Sequence, residues 1–209
     1  YVVPLPPHII AHHMNVTLAM DIFFVQGHRF HHTIPRDLKF RTVCMLESVT
    51  KSSLLESCKA AIQLYHDQGF NVTHIHTDRA FACIANDLGG IFLNINTADN
   101  HVGEVERSIR TIKERVQATL HGLPYTYIPK EMIKEVVSFT VKSLNQLPAL
   151  DGVSKTQSPK TIVTGSPPLD YNHFKLEFGE YVTLFEDNNI TNTNAPRMVD
   201  AIALHHSGN

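Results

Sequence analysis

The hydrophobic pattern of this chain changes period along its length. From Asn15 to Val25 the sequence NVTLAMDIFFV is almost continuously apolar, β-branched or aromatic, which predicts a strand buried on both faces. Gln26-Gly27-His28 gives a turn, residues 29–34 a second strand, and residues 39–48 (KFRTVCMLES) a third, completing an antiparallel meander. The period then lengthens. Leu54, Leu55, Cys58, Ala61, Ile62 and Tyr65 fall on one helical face, and Gly69 supplies the stop. Residues 70–77 return to strand alternation, 79–88 read as a short helix closed by Gly89-Gly90, and 91–94 as a fifth strand. The clearest helix covers 104–120, with Val105, Ile109, Ile112, Val116 and Leu120 in one stripe; Asp99 or Asn100 would cap it, and Gly122 with Pro124 would end it. Pro129 opens a further helix over 130–147, with Ile133, Val136, Val137, Thr140, Leu144 and Leu147 turned inward.

A three-strand meander followed by alternating helices and strands predicts an α/β fold, a mixed sheet with helices packed on it. Residues 1–14 read as an arm and 15–150 as the core. Residues 151–168, rich in Ser, Thr, Pro and Gly, read as a linker, and 180–185 with 198–205 as strands of a small partial β appendage. A length of 209 residues is enough to bury a core without disulfide staples, and 43% hydrophobic with 18% charged residues excludes a disordered chain. No apolar run reaches the ~18 residues of a membrane helix, because Asp21 interrupts the best candidate. Cys44, Cys58 and Cys83 are odd in number and lack a CxxC pairing, which argues against a disulfide scaffold and a thiolate zinc site. The opening YVVPLPPHII has no basic leader, so a reduced intracellular setting is expected, and the triplets at Asn15, Asn71 and Asn189 read as chance glycosylation matches. A first residue of Tyr suggests a piece of a longer polypeptide. The net charge of −2 gives no general attraction for nucleic acid. Residues 101–150, however, hold seven Lys/Arg against five Asp/Glu, and 151–209 hold four against seven, so a polyanion would meet the middle of the chain.

Three carboxylates carry the candidate chemistry. Asp21 lies in the most apolar strand, where an ionised group is costly unless paired or bound to a cation; an edge position facing solvent is the alternative. Asp78 ends the strand FNVTHIHT, in the crevice where open α/β sheets place their sites; the alternative is a helix cap. Glu106 starts the 104–120 helix one position off its apolar stripe, with Arg110 and Lys113 continuing its face; the alternative is a surface glutamate paired with Arg110. Together the three could converge above the sheet. Carboxylates suit Mg²⁺, and two such ions ~3.5–4 Å apart clamp the attacking and leaving oxygens of a phosphodiester displacement. Arg107, Arg110, Lys113 and Arg115 would then meet backbone phosphates, or form only a solvated helix face. His76, two residues before Asp78, would stand beside the acids, while a metal site on His74 and His76 lacks a completing ligand.

The segment HVGEVERSIRTIKER (101–115) resembles the H-x-G-x-x-E-R-x-x-R signature of integrases of copia-type retrotransposons. NVTLAMDIFFVQG and HIHTDRAF look like the segments carrying that family's first two acidic residues, and SPKTIVTGSPP, FGEYVTLF and NTNAPRMVDAIALHHSGN are similar to stretches that follow the catalytic core. The resemblance implies a ribonuclease H-like mixed sheet with helices on both faces. It also implies Mg²⁺- or Mn²⁺-dependent DNA strand transfer by a polynucleotidyl transferase. Asp21, Asp78 and Glu106 would be the catalytic and metal-binding triad, with Glu104 ranked second to Glu106. Element-end DNA, target DNA and further copies of the chain would be the partners, with no membrane, and the nucleus the place of action. The sequence departs from the family in three ways. Only 27 residues separate Asp78 from Glu106, Ala80-Phe81 follow Asp78-Arg79, and no His-His-Cys-Cys set precedes the core. Two other readings fit the same residues: an inactive integrase-derived module that binds nucleic acid or protein, and a ribonuclease H-like nuclease that cuts without joining.

Overall fold

A computed structural model describes residues 7–95, 103–168, 170, 172, 175–185 and 198–205. Its centre is a five-stranded sheet in the order β3-β2-β1-β4-β5, formed by β1 (Asn15–Val25), β2 (His28–Pro35), β3 (Thr42–Leu46), β4 (Asn71–Thr77) and β5 (Phe92–Ile95). β1 is the middle strand, antiparallel to β2 and parallel to β4, which explains why its sequence is apolar on both faces. The β1–β2 turn is tight. Gln26 (φ 45°) and Gly27 (φ 81°) are both left-handed, the geometry of a two-residue hairpin matched to strand twist.

The pleat of β1 divides the core in two. Val16, Leu18 and Met20 enter a first cluster with α2 (Lys51–Asp67) and a 3-10 helix (Arg79–Asp87). Ala19, Phe23 and Val25 enter a second, against α3 (Gly103–Gly122) and α4 (Lys130–Gln146) on the opposite face. The stripe of α3 is buried as its period predicts, at Val105, Ile109, Ile112 and Val116. α2 begins at Thr50, whose hydroxyl accepts from the Ser53 N–H.

Several segments depart from the sequence reading. The arm contains a helix, α1 (Pro7–His13). The third strand starts only at Thr42, because Lys39 adopts a left-handed conformation (φ 56°) and its N–H turns back to Pro35 O at 3.1 Å. The short helix after Asp78 is 3-10, and the last strand stops at Ile202. The expected linker 151–168 holds a helix, α5 (Pro159–Thr164), capped by the Ser158 hydroxyl and closed by left-handed Gly165. Ile162 and Val163 of α5 lie in the first cluster, which makes this segment part of the core packing. β6 (Tyr181–Phe185) and β7 (Met198–Ile202) form an antiparallel ribbon. The residues just before it are tied to the body: Phe178 lies 5.5 Å from the Phe139 ring and Tyr125 Oη donates to Gly179 O at 3.0 Å. The proposed cap of α3 at Asp99 or Asn100 lies outside the described residues. Among the described residues no helix is long and apolar enough to cross a membrane.

Candidate functional site

Strand register places the first two acids side by side. β1 and β4 pair in parallel up to Ala19↔His76, so Asp21 and Asp78 each stand two residues beyond the last pair. Adjacent strands run about 4.8 Å apart, and equal steps along parallel strands put side chains on the same face. That face is the one α3 covers, since Ala19 and Phe23 on either side of Asp21 pack against its stripe. Glu106, in the first turn of α3, thereby comes to the same end of the sheet.

The electrostatics of Asp21 reflect these neighbours. Partial burial pushes the Asp21 carboxyl above its ordinary range; the Ile22 N–H, donating to Oδ1 at 2.6 Å, opposes this. The charges of Asp78 and Glu106 raise it further, and Lys113 lowers it. Asp21 therefore feels both other acids and one of the predicted cations. Asp78 also caps the 3-10 helix, its Oδ1 accepting from the Ala80 N–H at 3.0 Å. The two roles weighed for it are compatible. Glu104, by contrast, is committed elsewhere: Lys39 Nζ bridges it and Asp151, the latter at 3.0 Å.

The four cations expected on one flank divide. Arg110 and Lys113, one and two turns after Glu106, share its face. Arg107 lies a quarter turn round, near Asp151. Arg115 lies half a turn away, close enough to depress the charged form of Arg41. His76 sits one rung before the acids, accepting at Nδ1 from Asn94 Nδ2 at 3.3 Å. His74 is beside Thr73 Oγ1 at 3.0 Å and the Phe92 ring at 5.7 Å. Among the described residues no three His, Cys, Asp or Glu side chains are drawn together as a metal cluster, at His74 and His76 or elsewhere. A cleft of about 880 Å³ is lined by Ala19, His76, Lys39, Glu104 and Arg107, whereas Asp21, Asp78 and Glu106 lie outside its lining.

The sequence reading missed one group of residues beside the site. His32 is the direct cross-strand partner of Asp21 and is fully buried, as is His31. Adjacent strand residues face opposite ways, so an HH pair in a central strand must send one imidazole into each core. Burial pushes His31 down to about 3 and His32 to about 4. That alternation, set in an apolar strand, was the available signal.

No protein-family model and no curated protein matches the sequence. Solved structures do. The catalytic core domain of BIV integrase matches with a TM-score of 0.51 and 18% identity, over 70% of this chain and 92% of that one. A chain of the simian T-cell lymphotropic virus intasome, in complex with PP2A regulatory subunit B56 gamma, matches with a TM-score of 0.54 and 19% identity. That match covers 74% of this chain and 55% of the intasome chain. The chain therefore has the ribonuclease H-like fold of retroviral integrase catalytic cores, with helices on both faces of its mixed sheet.

Proposed function

We propose that this chain is the catalytic core of an integrase of a copia-type retrotransposon, a polynucleotidyl transferase that joins element-end DNA to target DNA. The observation that carries the reading is the place of Asp21 at one end of an integrase-like sheet, level with Asp78 by strand register and within reach of the charges of Asp78 and Glu106. The BIV and simian viral neighbours are described as an integrase core and an intasome, which agrees with a DNA-joining assembly of several copies.

The three acids fit a divalent cation such as Mg²⁺ or Mn²⁺, two ions being expected. They are hard oxygen donors, and a cation would offset both the burial and the neighbouring acid charges that raise Asp21. When bound, such ions supply Lewis-acid activation of the attacking and leaving oxygens of a phosphodiester. The protein's own part is positional. Asp21 is held within β1 and Asp78 just past the end of β4, and each carboxylate accepts one backbone bond, from Ile22 and Ala80 respectively. Glu106 is delivered by a helix whose neighbouring Arg110 and Lys113 extend towards solvent on the same face, where DNA phosphate would lie. The activity would be exercised in the nucleus.

A second reading, an inactive binding module, is favoured by the absence of a closed metal cluster among the described acids and by the net charge of −2. A disintegration assay on branched DNA with Mn²⁺ decides. Joined product from the wild type, lost in Asp78→Asn with the fold retained, supports the integrase. Nucleic-acid binding without product supports the module, and cut product without joining supports a nuclease.

A further inference from the structure

Glu106 lies between two anchored positions of α3. Two residues before it, Glu104 is ion-paired with Lys39. Two residues after it, Ser108 is buried and bound from two directions: Arg41 Nε donates to Ser108 Oγ at 3.0 Å, and His32 Nε2 lies 2.9 Å from the same oxygen. The proton positions follow from the partners. His32 Nδ1 is 2.8 Å from the Thr42 carbonyl, which only accepts, so Nδ1 carries the proton and Nε2 accepts. The Ser108 hydroxyl therefore donates to His32 and accepts from Arg41. Arg41 is fixed in turn by Asn145 of α4, whose Oδ1 accepts from the Arg41 N–H at 2.8 Å and whose Nδ2 donates to the Arg41 carbonyl at 2.7 Å. The chain of bonds is continuous and directional, with His32, Ser108 and Asn145 buried. It runs from the residue facing Asp21 to the helix turn that carries Glu106.

We propose that His32, acting through Ser108, is a positioning residue that sets the approach of α3 to β1, so that Glu106 and Asp21 reach the same divalent cation. This inference rests on the integrase reading of the site. Its physical basis is reach. His32 and Asp21 are paired across the ladder, where Cβ atoms stand about 5 Å apart, and the His32 ring packs edge-on to Phe23 at 6.2 Å, which fixes its plane. A hydrogen bond donated to so constrained a ring permits little sliding of Ser108, and with it of Glu106. Groups that orient metal ligands typically change affinity 10–100-fold when removed.

His31 supplies an internal control. It is as deeply buried on the same strand but faces away from α3, with Nδ1 2.6 Å from Ser57 Oγ and its ring 5.2 Å from Phe81. Mn²⁺ affinity, read from the electron paramagnetic resonance of the free ion, is measured for wild type, His31→Gln, His32→Gln and Ser108→Ala, with Asp21→Asn as the blank. Ser108→Ala removes one oxygen and keeps the packing, so it covers the case in which His32→Gln does not fold. The expected result is about tenfold weaker binding in His32→Gln and Ser108→Ala, with His31→Gln unchanged though similarly destabilised. Equal affinity in Ser108→Ala and wild type overturns the inference, as does equal weakening by His31→Gln. No Mn²⁺ binding by the wild type overturns the reading of the site, and this inference with it.

Discussion

Acidification should weaken this fold well before its ordinary carboxylates titrate. His31 and His32 are neutral in the folded chain because burial holds them at about 3 and about 4, against an ordinary value of 6.5. In the unfolded chain both take up a proton as the pH falls through about 6.5. The unfolded state then binds more protons than the folded one, so stability rises with pH across this window and falls with acid. Their contribution is complete above pH 6.5, and the loss levels off only below the two folded values. At about 1.4 kcal/mol per pH unit, each histidine costs roughly 2 kcal/mol between pH 7.5 and 5, about 4 kcal/mol together. That is a large share of a typical domain stability of 5–15 kcal/mol. The assay is urea denaturation in chelator at pH 7.5, 6.5, 5.5 and 5.0. His31→Gln and His32→Gln should each remove about half of the slope, even though both start from a lower stability. A stability flat from pH 7.5 to 5 would refute the buried neutral pair, and with it the tautomer on which the bond to Ser108 depends.

Three other outcomes follow from named contacts. Burial and two neighbouring acids disfavour the charge on Asp21, so Asp21→Asn should raise the urea midpoint at pH 7 while removing strand transfer. Ile162→Ala should cost about 2–4 kcal/mol in the same measurement, since Ile162 is 2% exposed in the first core cluster; no loss would show that α5 does not belong to that core. Gly179→Ala should loosen the β6–β7 ribbon. A Cβ there would fall 2.2 Å from Leu123 Cδ2 at a backbone φ of +84°, and limited proteolysis of 180–205 should quicken relative to the core.

The apolar run of β1 and the 3.6-residue stripe of α3 were legible because each expresses one dominant force, burial, at one period. The same clarity exposed Asp21, since a carboxylate inside such a run is conspicuous, and Glu106, one step off the stripe. What escaped depends on partners distant in sequence. His31 and His32 look like one more polar pair in a chain with fourteen histidines until α2 and α3 supply the other halves of their contacts. Lys39 reads as the first residue of a strand, and only its left-handed turn brings the ammonium to Glu104 and Asp151. The helix α5 is short and set among Ser, Pro and Gly, so composition outweighed the signal of Ser158-Pro159 as a cap and first turn. Arg115 follows Arg107, Arg110 and Lys113 closely in sequence, whereas helical rotation sets it half a turn from Glu106, towards the Arg107 side of α3.

The central claim is that Asp21, Asp78 and Glu106 share one site. A carboxyl-detected NMR titration of Asp21 tests it without metal, DNA or turnover. In the wild type the Asp21 carboxyl should titrate above the ordinary aspartate range, and it should fall back towards that range in both Asp78→Asn and Glu106→Gln. An Asp21 titration that neither substitution moves would mean the three acids do not meet, and the proposed strand-transfer centre would not exist.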